Sequence, residues 1–181
     1  MPVNRSIQQN LILIKNDPSK ILGLTIGIGK HNPQPGDYIP EVDAQPPPEL
    51  SFKSLNLSLD SSKTYMVVGL DIDAPFPSLD VLGPILHWIQ PDFKVDKNSL
   101  FLKSAEPFVA NYISPGPPPG SAPHRYIFFL YEQPSQFDGK KYAPPGGKKL
   151  SNWNRMRCSL DEWEKKAGLD SVLAVNYFKS D

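Results

Sequence analysis

The amino-acid sequence predicts an all-β core with a short peripheral helix. Apolar runs of strand length recur along the chain, prolines and glycines cluster between them, and one clear helix signal lies near the end. The chain has 181 residues, of which 39% are hydrophobic and 21% charged. That balance is typical of a globular protein, and we expect a single domain over residues 1–181.

Four segments have the composition of β-strands. The alternation of Leu55, Leu57 and Leu59 with polar residues predicts a strand with one buried face, followed by a turn at 60–63. Segments 64–70, 85–89 and 126–131 are almost wholly apolar and rich in β-branched and aromatic residues. This composition predicts central strands that are covered on both faces.

One helix is predicted near the end of the chain. Ser159 and Glu162 have the spacing of a capping box, in which each side chain accepts a hydrogen bond from the other residue's backbone N–H. Acidic residues follow at once, lysines come later, and Gly168 ends the segment, as the helix dipole and C-cap preferences favour.

The bulk composition excludes several classes of protein. Nineteen basic residues balance nineteen acidic ones, so no general attraction to nucleic acid is expected, and peripheral membrane contact is the most we predict. No run of 18 apolar residues could span a membrane, and the first twenty residues lack a secretory signal. The lone Cys158 permits no intrachain disulfide, which suits a cytoplasmic protein.

No cofactor or metal is expected. The glycines at 27–29 and 146–147 lack the spacing of dinucleotide or phosphate loops, and no zinc spacing occurs. The lysines at 140, 141, 148 and 149 form a basic loop that is more often solvated surface than site. Arg157 and the following helix could lower the pKa of Cys158, although a lone cysteine without a histidine nearby in sequence is usually inert.

Two of the three histidines lie within apolar, strand-like sequence. His87 and His124 must satisfy both ring nitrogens there, whereas His31 lies in a loop rich in proline and glycine. Each could be a core histidine bonded to the backbone, or part of a site.

Two carboxylates follow directly after the 64–70 strand. Asp71 and Asp73 are two residues apart, so an extended backbone would point both to one face, and a buried carboxylate needs a partner. A histidine is one such partner; capping a turn or pairing with Arg125 is another, and for Asp73 we favour that second role. Pro75 fixes the exit of the strand and could be cis.

A proline-rich segment at 116–120 is the third feature. Its prolines would make a stiff wall with few backbone donors, and Gly116 and Gly120 allow close approach to a ligand. Alternatively, the segment is a turn or a polyproline motif that a protein partner recognises.

Taken together, these segments resemble the phosphatidylethanolamine-binding protein family in their order and spacing. The resemblance covers most of the chain, from about residue 48 to residue 177. It is carried by Asp71-Ile72-Asp73-Ala74-Pro75, Leu86-His87-Trp88-Ile89, Gly116-Pro117-Pro118 and His124-Arg125-Tyr126.

The resemblance implies a fold and a site. The fold is mainly β, a large central antiparallel or mixed sheet packed on a smaller sheet with short peripheral helices. The site is a small anion pocket at one end of the sheet, with Arg125 holding it together from behind. The residues implied to line the pocket are Asp71, Ala74, Pro75, His87, Gly116, Pro118, His124 and Tyr126.

Two departures from the family pattern suggest a specialised and more open pocket. Ile72 stands where the family has proline between the aspartates. The sequence ends at Asp181, where animal members continue into a helix beside the pocket, so we expect a domain without an extended C-terminal helix.

Two classes of function remain open at this stage. As a binding and regulatory protein, the chain would hold phosphate, a carboxylate, a phospholipid head group or a metabolite. It could also inhibit a kinase or a serine carboxypeptidase, or bind a partner through its proline-rich loops. A protonated His87 or His124 held by Asp71, with the Tyr126 hydroxyl and the Gly116 N–H, would donate to the anion, so affinity should fall as pH rises.

As an enzyme, the chain would use the same pocket for acid–base chemistry. Asp71, His87 and His124 would act on a small organic metabolite by dehydration, isomerisation or cyclisation, a role that the resemblance implies through fungal members of the family. No pair of nucleophile and base is visible in the sequence, so hydrolysis is the least favoured chemistry.

Overall fold

The computed structural model describes residues 4–52 and 62–181, and this part of the chain forms seven β-strands and two α-helices. No helix within these residues is long and apolar enough to cross a bilayer. The elements in chain order are α1 (Arg5–Asn16), β1 (Gly23–Thr25), β2 (Glu49–Ser51), β3 (Tyr65–Asp71), β4 (Ile85–Val95), β5 (Phe101–Lys103), β6 (His124–Glu132), α2 (Leu160–Ala167) and β7 (Ala174–Ser180).

The strands form one antiparallel sheet in the order β1-β2-β5-β4-β3-β6-β7. Strand β4 joins the two parts of the sheet, because it pairs with β3 from Ile85 to Phe93 and with β5 through Lys94 and Val95. The larger part contains β3, β4, β6 and β7, and the smaller part contains β1, β2, β5 and the end of β4. The mainly β fold class is therefore confirmed.

Both faces of the central strands are buried, as the apolar runs predicted. On β6, Phe128 and Leu130 face a core shared with Leu24 and Leu50 of the smaller part. The alternate residues of β6, such as Phe129, face a second core that the two helices cover. Continuous apolar sequence thus reflects a sheet with two covered faces.

The predicted central strands correspond to β3, β4 and β6. The predicted strand at 55–59 lies outside the described residues, as does the start of the turn at 60–63.

The predicted helix is confirmed as α2. Ser159 Oγ accepts a hydrogen bond from the backbone N–H of Glu162, and Gly168 ends the helix at φ 67°. The reciprocal bond from the Glu162 side chain is not formed within the described residues. Instead, the side chain of Asn4 accepts from the backbone N–H of Leu160 at 2.7 Å.

The expectation of a single clear helix is wrong, because α1 forms over Arg5–Asn16. Its Ile7 and Ile14 are buried against the sheet. The carboxylate of Asp161 in α2 accepts from the backbone N–H groups of Arg5 and Ser6 at 3.1 and 3.0 Å. The donors at the start of α1 are therefore satisfied by a residue about 155 positions away, which no local pattern reveals.

Candidate functional site

All eight residues implied to line a pocket border one cavity of about 250 Å³. The cavity lies where the end of β3 meets the beginnings of β4 and β6, since Asp71 pairs in register with Ile85 and with Tyr126. Six further residues complete its lining: Ile85, Ile113, Ser114, Asn152, Arg155 and Met156.

A local irregularity places His87 beside the cavity. The pairing of β4 with β3 shifts register between Gly69 and Leu70, whose partners are Trp88 and Leu86, so His87 is the extra residue of a bulge. Bulges re-aim side chains and recur beside functional sites. His124 and Tyr126 are two residues apart on β6, so their side chains share one face.

Asp71 and His124 form a buried pair at the centre of the site. Nδ1 of His124 lies 2.8 Å from Oδ2 of Asp71, and the other carboxylate oxygen accepts from the backbone N–H of Asp73 at 2.8 Å. Burial alone would lower the pKa of His124, but the hydrogen bond to Asp71 and its negative charge outweigh burial and raise that pKa.

Ser121 extends this pair into a row of three side chains. Its Oγ lies 2.9 Å from Nε2 of His124. The sequence did not reveal that a serine hydroxyl lies beside this histidine. In space, Ser121, His124 and Asp71 follow one another as serine, histidine and aspartate do in a hydrolase triad. However, the Ser121 hydroxyl donates to the carbonyl of Ala122 at 2.9 Å, and Ser121 does not line the cavity. The row therefore holds His124 in place and presents no nucleophile to the cavity.

Of the two histidines that could carry the positive charge, His87 is the one that its surroundings keep neutral near pH 7. Burial lowers the pKa of His87 to about 4, although the charge of Asp71 opposes the shift. Its Nδ1–H donates to the carbonyl of Ile113 at 2.8 Å, which fixes the tautomer. Nε2 of His87 then carries a lone pair and acts as an acceptor.

The hydroxyl of Tyr126 is buried beside His87 and has no hydrogen-bond partner in the described part of the chain. The two rings meet edge to face with centroids 5.1 Å apart. Burial raises the pKa of Tyr126, and the nearby backbone N–H of Gly116 opposes part of that rise. The Tyr126 hydroxyl and this N–H do not, however, form a hydrogen bond of normal geometry. An unpartnered buried hydroxyl is costly, and a ligand that accepts from it would remove that cost.

Arg155 is a site residue that the sequence reasoning missed. It is only 1% exposed, yet it lines the cavity and forms no ion pair among the residues described. Its guanidinium donates to the carbonyls of Leu150, Leu86 and Asn111 and to the side chain of Asn111. A charged side chain is rarely buried without a charged partner, so the burial of Arg155 marks it as a site residue. The sequence does not show that burial, and Arg155 could not be identified from it.

Asp73 takes the role that we favoured for it. Its carboxylate accepts from the backbone N–H, Nε and Nη2 of Arg125 at 2.8, 2.9 and 2.6 Å. Burial would raise the pKa of Asp73, but Arg125 outweighs burial and lowers it. The Arg125 side chain borders a neighbouring groove of about 470 Å³ and not the cavity. The Ala74–Pro75 peptide bond is cis.

Two other candidates from the sequence, His31 and Cys158, do not take part in the chemistry of the cavity. His31 pairs with Asp43 at 2.9 Å, outside the cavity. The suggestion of a lowered pKa at Cys158 is wrong, because burial raises its pKa to about 12. Within residues 4–52 and 62–181, no group of three or more His, Cys, Asp or Glu side chains is placed to hold a metal ion.

Comparison with known proteins gives a family and several relatives. The family model for the phosphatidylethanolamine-binding protein matches residues 29–178. The carboxypeptidase Y inhibitor of Saccharomyces cerevisiae is 26% identical over 167 residues, covering 79% of this chain and 76% of that protein. The phomoidride biosynthesis cluster protein N of Talaromyces stipitatus is 31% identical over 172 residues, covering 87% and 82%.

Solved structures share the fold. The crystal structure of a carboxypeptidase Y inhibitor complexed with its cognate proteinase matches with a TM-score of 0.70 at 22% identity, covering 97% of this chain and 93% of the other. A phosphatidylethanolamine-binding protein from Plasmodium vivax matches with a TM-score of 0.61 at 14% identity, covering 99% and 97%.

Proposed function

The chain belongs to the phosphatidylethanolamine-binding protein family, and from that premise we propose that it binds a small phosphorylated anion in the 250 Å³ cavity and acts as an inhibitory binding protein. The cavity is smaller than the roughly 300–1,000 Å³ of sites for drug-sized ligands, so inorganic phosphate or a phosphomonoester head group suits it.

The charge balance of the cavity carries this proposal. Below the raised pKa of His124, its imidazolium and the Asp71 carboxylate cancel each other. Because His87 is neutral near pH 7, the buried guanidinium of Arg155 is then an excess positive charge. Buried charges are stable only when they are paired, so an anion beside Arg155 would complete the site. The unpartnered Tyr126 hydroxyl adds a donor for it.

The same balance explains why anion affinity should depend on pH. As pH rises through the raised pKa of His124, the histidine loses its charge and Asp71 then cancels Arg155. Affinity therefore falls, as the sequence suggested, but through the net charge of the cavity. His124 itself uses both ring nitrogens within the protein, on Asp71 and Ser121, and so positions the site.

His87 supports phosphate over anions that carry no proton. Its Nε2 accepts, so it favours a ligand with a hydroxyl to donate. A phosphomonoester retains one proton below its second pKa of about 6, whereas sulfate retains none at that pH. We therefore expect phosphate to bind more tightly than sulfate.

The inhibitory part of the proposal has separate support. One relative is named for inhibiting carboxypeptidase Y, and a carboxypeptidase Y inhibitor of the same fold has been solved in complex with its cognate proteinase. We infer that this chain likewise binds a protein partner, a proteinase or a kinase, and that the anion bound in the cavity regulates the encounter.

The decisive experiment compares two tyrosines of β6. Tyr126→Phe removes a hydroxyl without a partner, and Tyr131→Phe removes one that donates to Glu164 at 2.9 Å outside the cavity. Titration calorimetry with inorganic phosphate, O-phosphoethanolamine and sulfate should show that Y126F weakens phosphate binding roughly tenfold while Y131F leaves it unchanged. If wild type binds none of these anions, or Y126F binds them equally, the proposal fails.

An acid–base enzyme is the second candidate. The neutral Nε2 of His87 and the free hydroxyl of Tyr126 are a potential base and acid in one cavity, and a relative is named for a biosynthesis cluster. Dihydroxyacetone phosphate in D₂O provides a probe, because a general base would exchange its carbon-bound protons. Exchange detected by NMR and abolished by His87→Gln would support catalysis; no exchange above buffer would leave binding as the function.

A further inference from the structure

The segment 139–159 is strongly basic in a chain whose formal net charge is zero. It contains no acidic residue, although the whole chain has nineteen basic and nineteen acidic ones. Its basic residues are Lys140, Lys141, Lys148, Lys149, Arg155 and Arg157, and all except Arg155 are exposed.

Trp153 stands in the middle of this segment with 82% of its surface exposed. Lys149 and Arg157 are each four residues away, so they lie within about 14 Å of it even for a fully extended backbone. The turn that carries Trp153 is anchored beneath, because Arg155 donates to Leu86 and Asn111 in the core. Trp153 is therefore held outward by a fixed turn.

A second loop adds exposed apolar side chains beside this turn. Phe76, Leu79 and Val81 are between 36% and 56% exposed. Arg157 joins the two loops, since its backbone N–H donates to Leu82 at 3.0 Å and its Nε to Val81 at 3.3 Å.

Both loops border the cavity, and their exposed charge is positive. Pro75 and Asn152, which precede Phe76 and Trp153 in sequence, line it. The acidic residue in the 76–81 loop is Asp80, between Leu79 and Val81. It is partly buried and borders the groove that Arg5 and Arg125 also line.

We propose that these two loops dock on a bilayer that contains anionic lipids, with Trp153, Phe76, Leu79 and Val81 as the apolar contacts and Lys148, Lys149 and Arg157 as the contacts to lipid phosphates. This Trp153 face fits a membrane better than a protein. Tryptophan is favoured at the level of lipid head groups, and clustered lysines attract anionic leaflets. Lysine is instead depleted from protein–protein interfaces.

Docking on this face does not require an occupied cavity. The two proposals can therefore fail separately, and variants of the cavity and of the face should behave independently. A docked Trp153 face would also bring the cavity close to the head groups, because the same two loops border both.

Co-sedimentation of the full chain with vesicles tests the proposal. Vesicles of phosphatidylcholine alone are compared with vesicles that also contain phosphatidylserine. We expect binding only to the second kind, and binding that weakens as salt is added, because surface charges are screened. Equal binding to both, or binding to neither, would overturn the proposal.

Matched variants assign the contact to residues. W153A and the double variant K148Q K149Q should each reduce partitioning roughly tenfold. Val42→Ala, at a side chain 79% exposed, and K94Q K97Q, near the far end of β4, should leave it unchanged. Y126F should bind vesicles like wild type, and if it alone loses binding, the cavity and not this face makes the contact.

An acidic polymer distinguishes a protein-like partner from lipid. If poly-glutamate competes with the vesicles fully and binds W153A as well as wild type, the face is merely an anion-binding surface and the proposal is wrong. If poly-glutamate competes weakly and W153A still loses vesicle binding, the membrane assignment stands. Thermal unfolding of each variant checks that the exposed substitutions leave the fold intact.

Discussion

Nδ1 of His124 lies 2.8 Å from Oδ2 of Asp71, and neither side chain is more than 6% exposed. The two residues are 53 positions apart and meet because β3 and β6 pair side by side. The same carboxylate opposes the fall in the pKa of His87. One acidic side chain thus influences both histidines of the cavity, and their responses to pH should differ in sign.

Asp71→Asn should lower the pKa of His124. Both of the strongest influences that raise this pKa, the hydrogen bond and the negative charge, come from Asp71, and burial would then dominate. Because the pKa of folded wild type lies above the unfolded value near 6.5, its stabilising contribution is complete below pH 6.5 and is lost as pH rises through the folded pKa. In D71N, the free energy of unfolding should therefore fall less as pH rises above 6.5.

Proton NMR titration of the three histidines measures the effect. His31 serves as an internal control, because it pairs with Asp43 away from the cavity. A wild-type His124 that titrates at or below 6.5 would contradict the argument.

His87 should have the opposite effect on stability, which it should lower as the pH falls. Its folded pKa of about 4 lies below the unfolded value, so between pH 6.5 and 4 the unfolded chain binds a proton that the folded chain does not. Stability should fall by about 3 kcal/mol across this window, at 1.36 kcal/mol per unit. His87→Gln should remove the loss, as urea unfolding at several pH values would show.

Asp73 provides a separate reference for that experiment. Its lowered pKa contributes stability above the unfolded value of 3.8, which is lost only as pH falls through the lower folded pKa. If the free energy of unfolding of H87Q still falls between pH 6.5 and 4, that fall does not come from His87.

The sequence predicted the elements whose signal is local. Near-continuous apolar runs predicted β3, β4 and β6, and Ser159 and Gly168 marked the ends of α2. The pairing of Asp73 with Arg125 could also be anticipated, since few partners were available to a carboxylate at the end of a buried strand.

What the sequence could not provide depends on contacts between distant residues. Helix α1 is stabilised at its start by Asp161, and the protonation of His87 depends on burial that only the folded chain creates. Ser121 and Arg155 gained their positions from the loops between strands, where composition does not fix the conformation. The motifs identified the cavity residues, whereas its charge balance required the structure.

Arg155→Lys should separate charge from geometry in the cavity. Lysine keeps a positive charge but cannot reach the carbonyls of Leu86 and Asn111 together, and a buried carbonyl without a donor costs about 1–3 kcal/mol. We expect R155K to lower the free energy of unfolding by about 2 kcal/mol or more. Phosphate should also raise the Tm less than in wild type, since stabilisation by a ligand follows its affinity.

The exposed Arg157→Lys is the matched control and should change neither quantity. If phosphate raises the Tm of R155K and wild type equally, Arg155 does not contribute to anion binding.

Helices α1 and α2 cap each other, and a mutation in one cap should weaken one helix without the other. Asp161 of α2 accepts from the backbone of Arg5 and Ser6, while Asn4 before α1 accepts from Leu160 at the start of α2. Capping side chains typically contribute about 1 kcal/mol, and a carboxylate at a helix N-terminus gains further from the dipole. Asp161→Ala should therefore lower the free energy of unfolding by about 1–2 kcal/mol.

Hydrogen exchange should localise that loss. In D161A the amides of α1 should exchange faster, while α2 keeps its Ser159 cap and its protection. Glu162→Ala, one position along the same turn, is the control and should leave α1 protected. Equal exchange of α1 in D161A and wild type would show instead that the burial of Ile7 and Ile14 holds this helix without its distant cap.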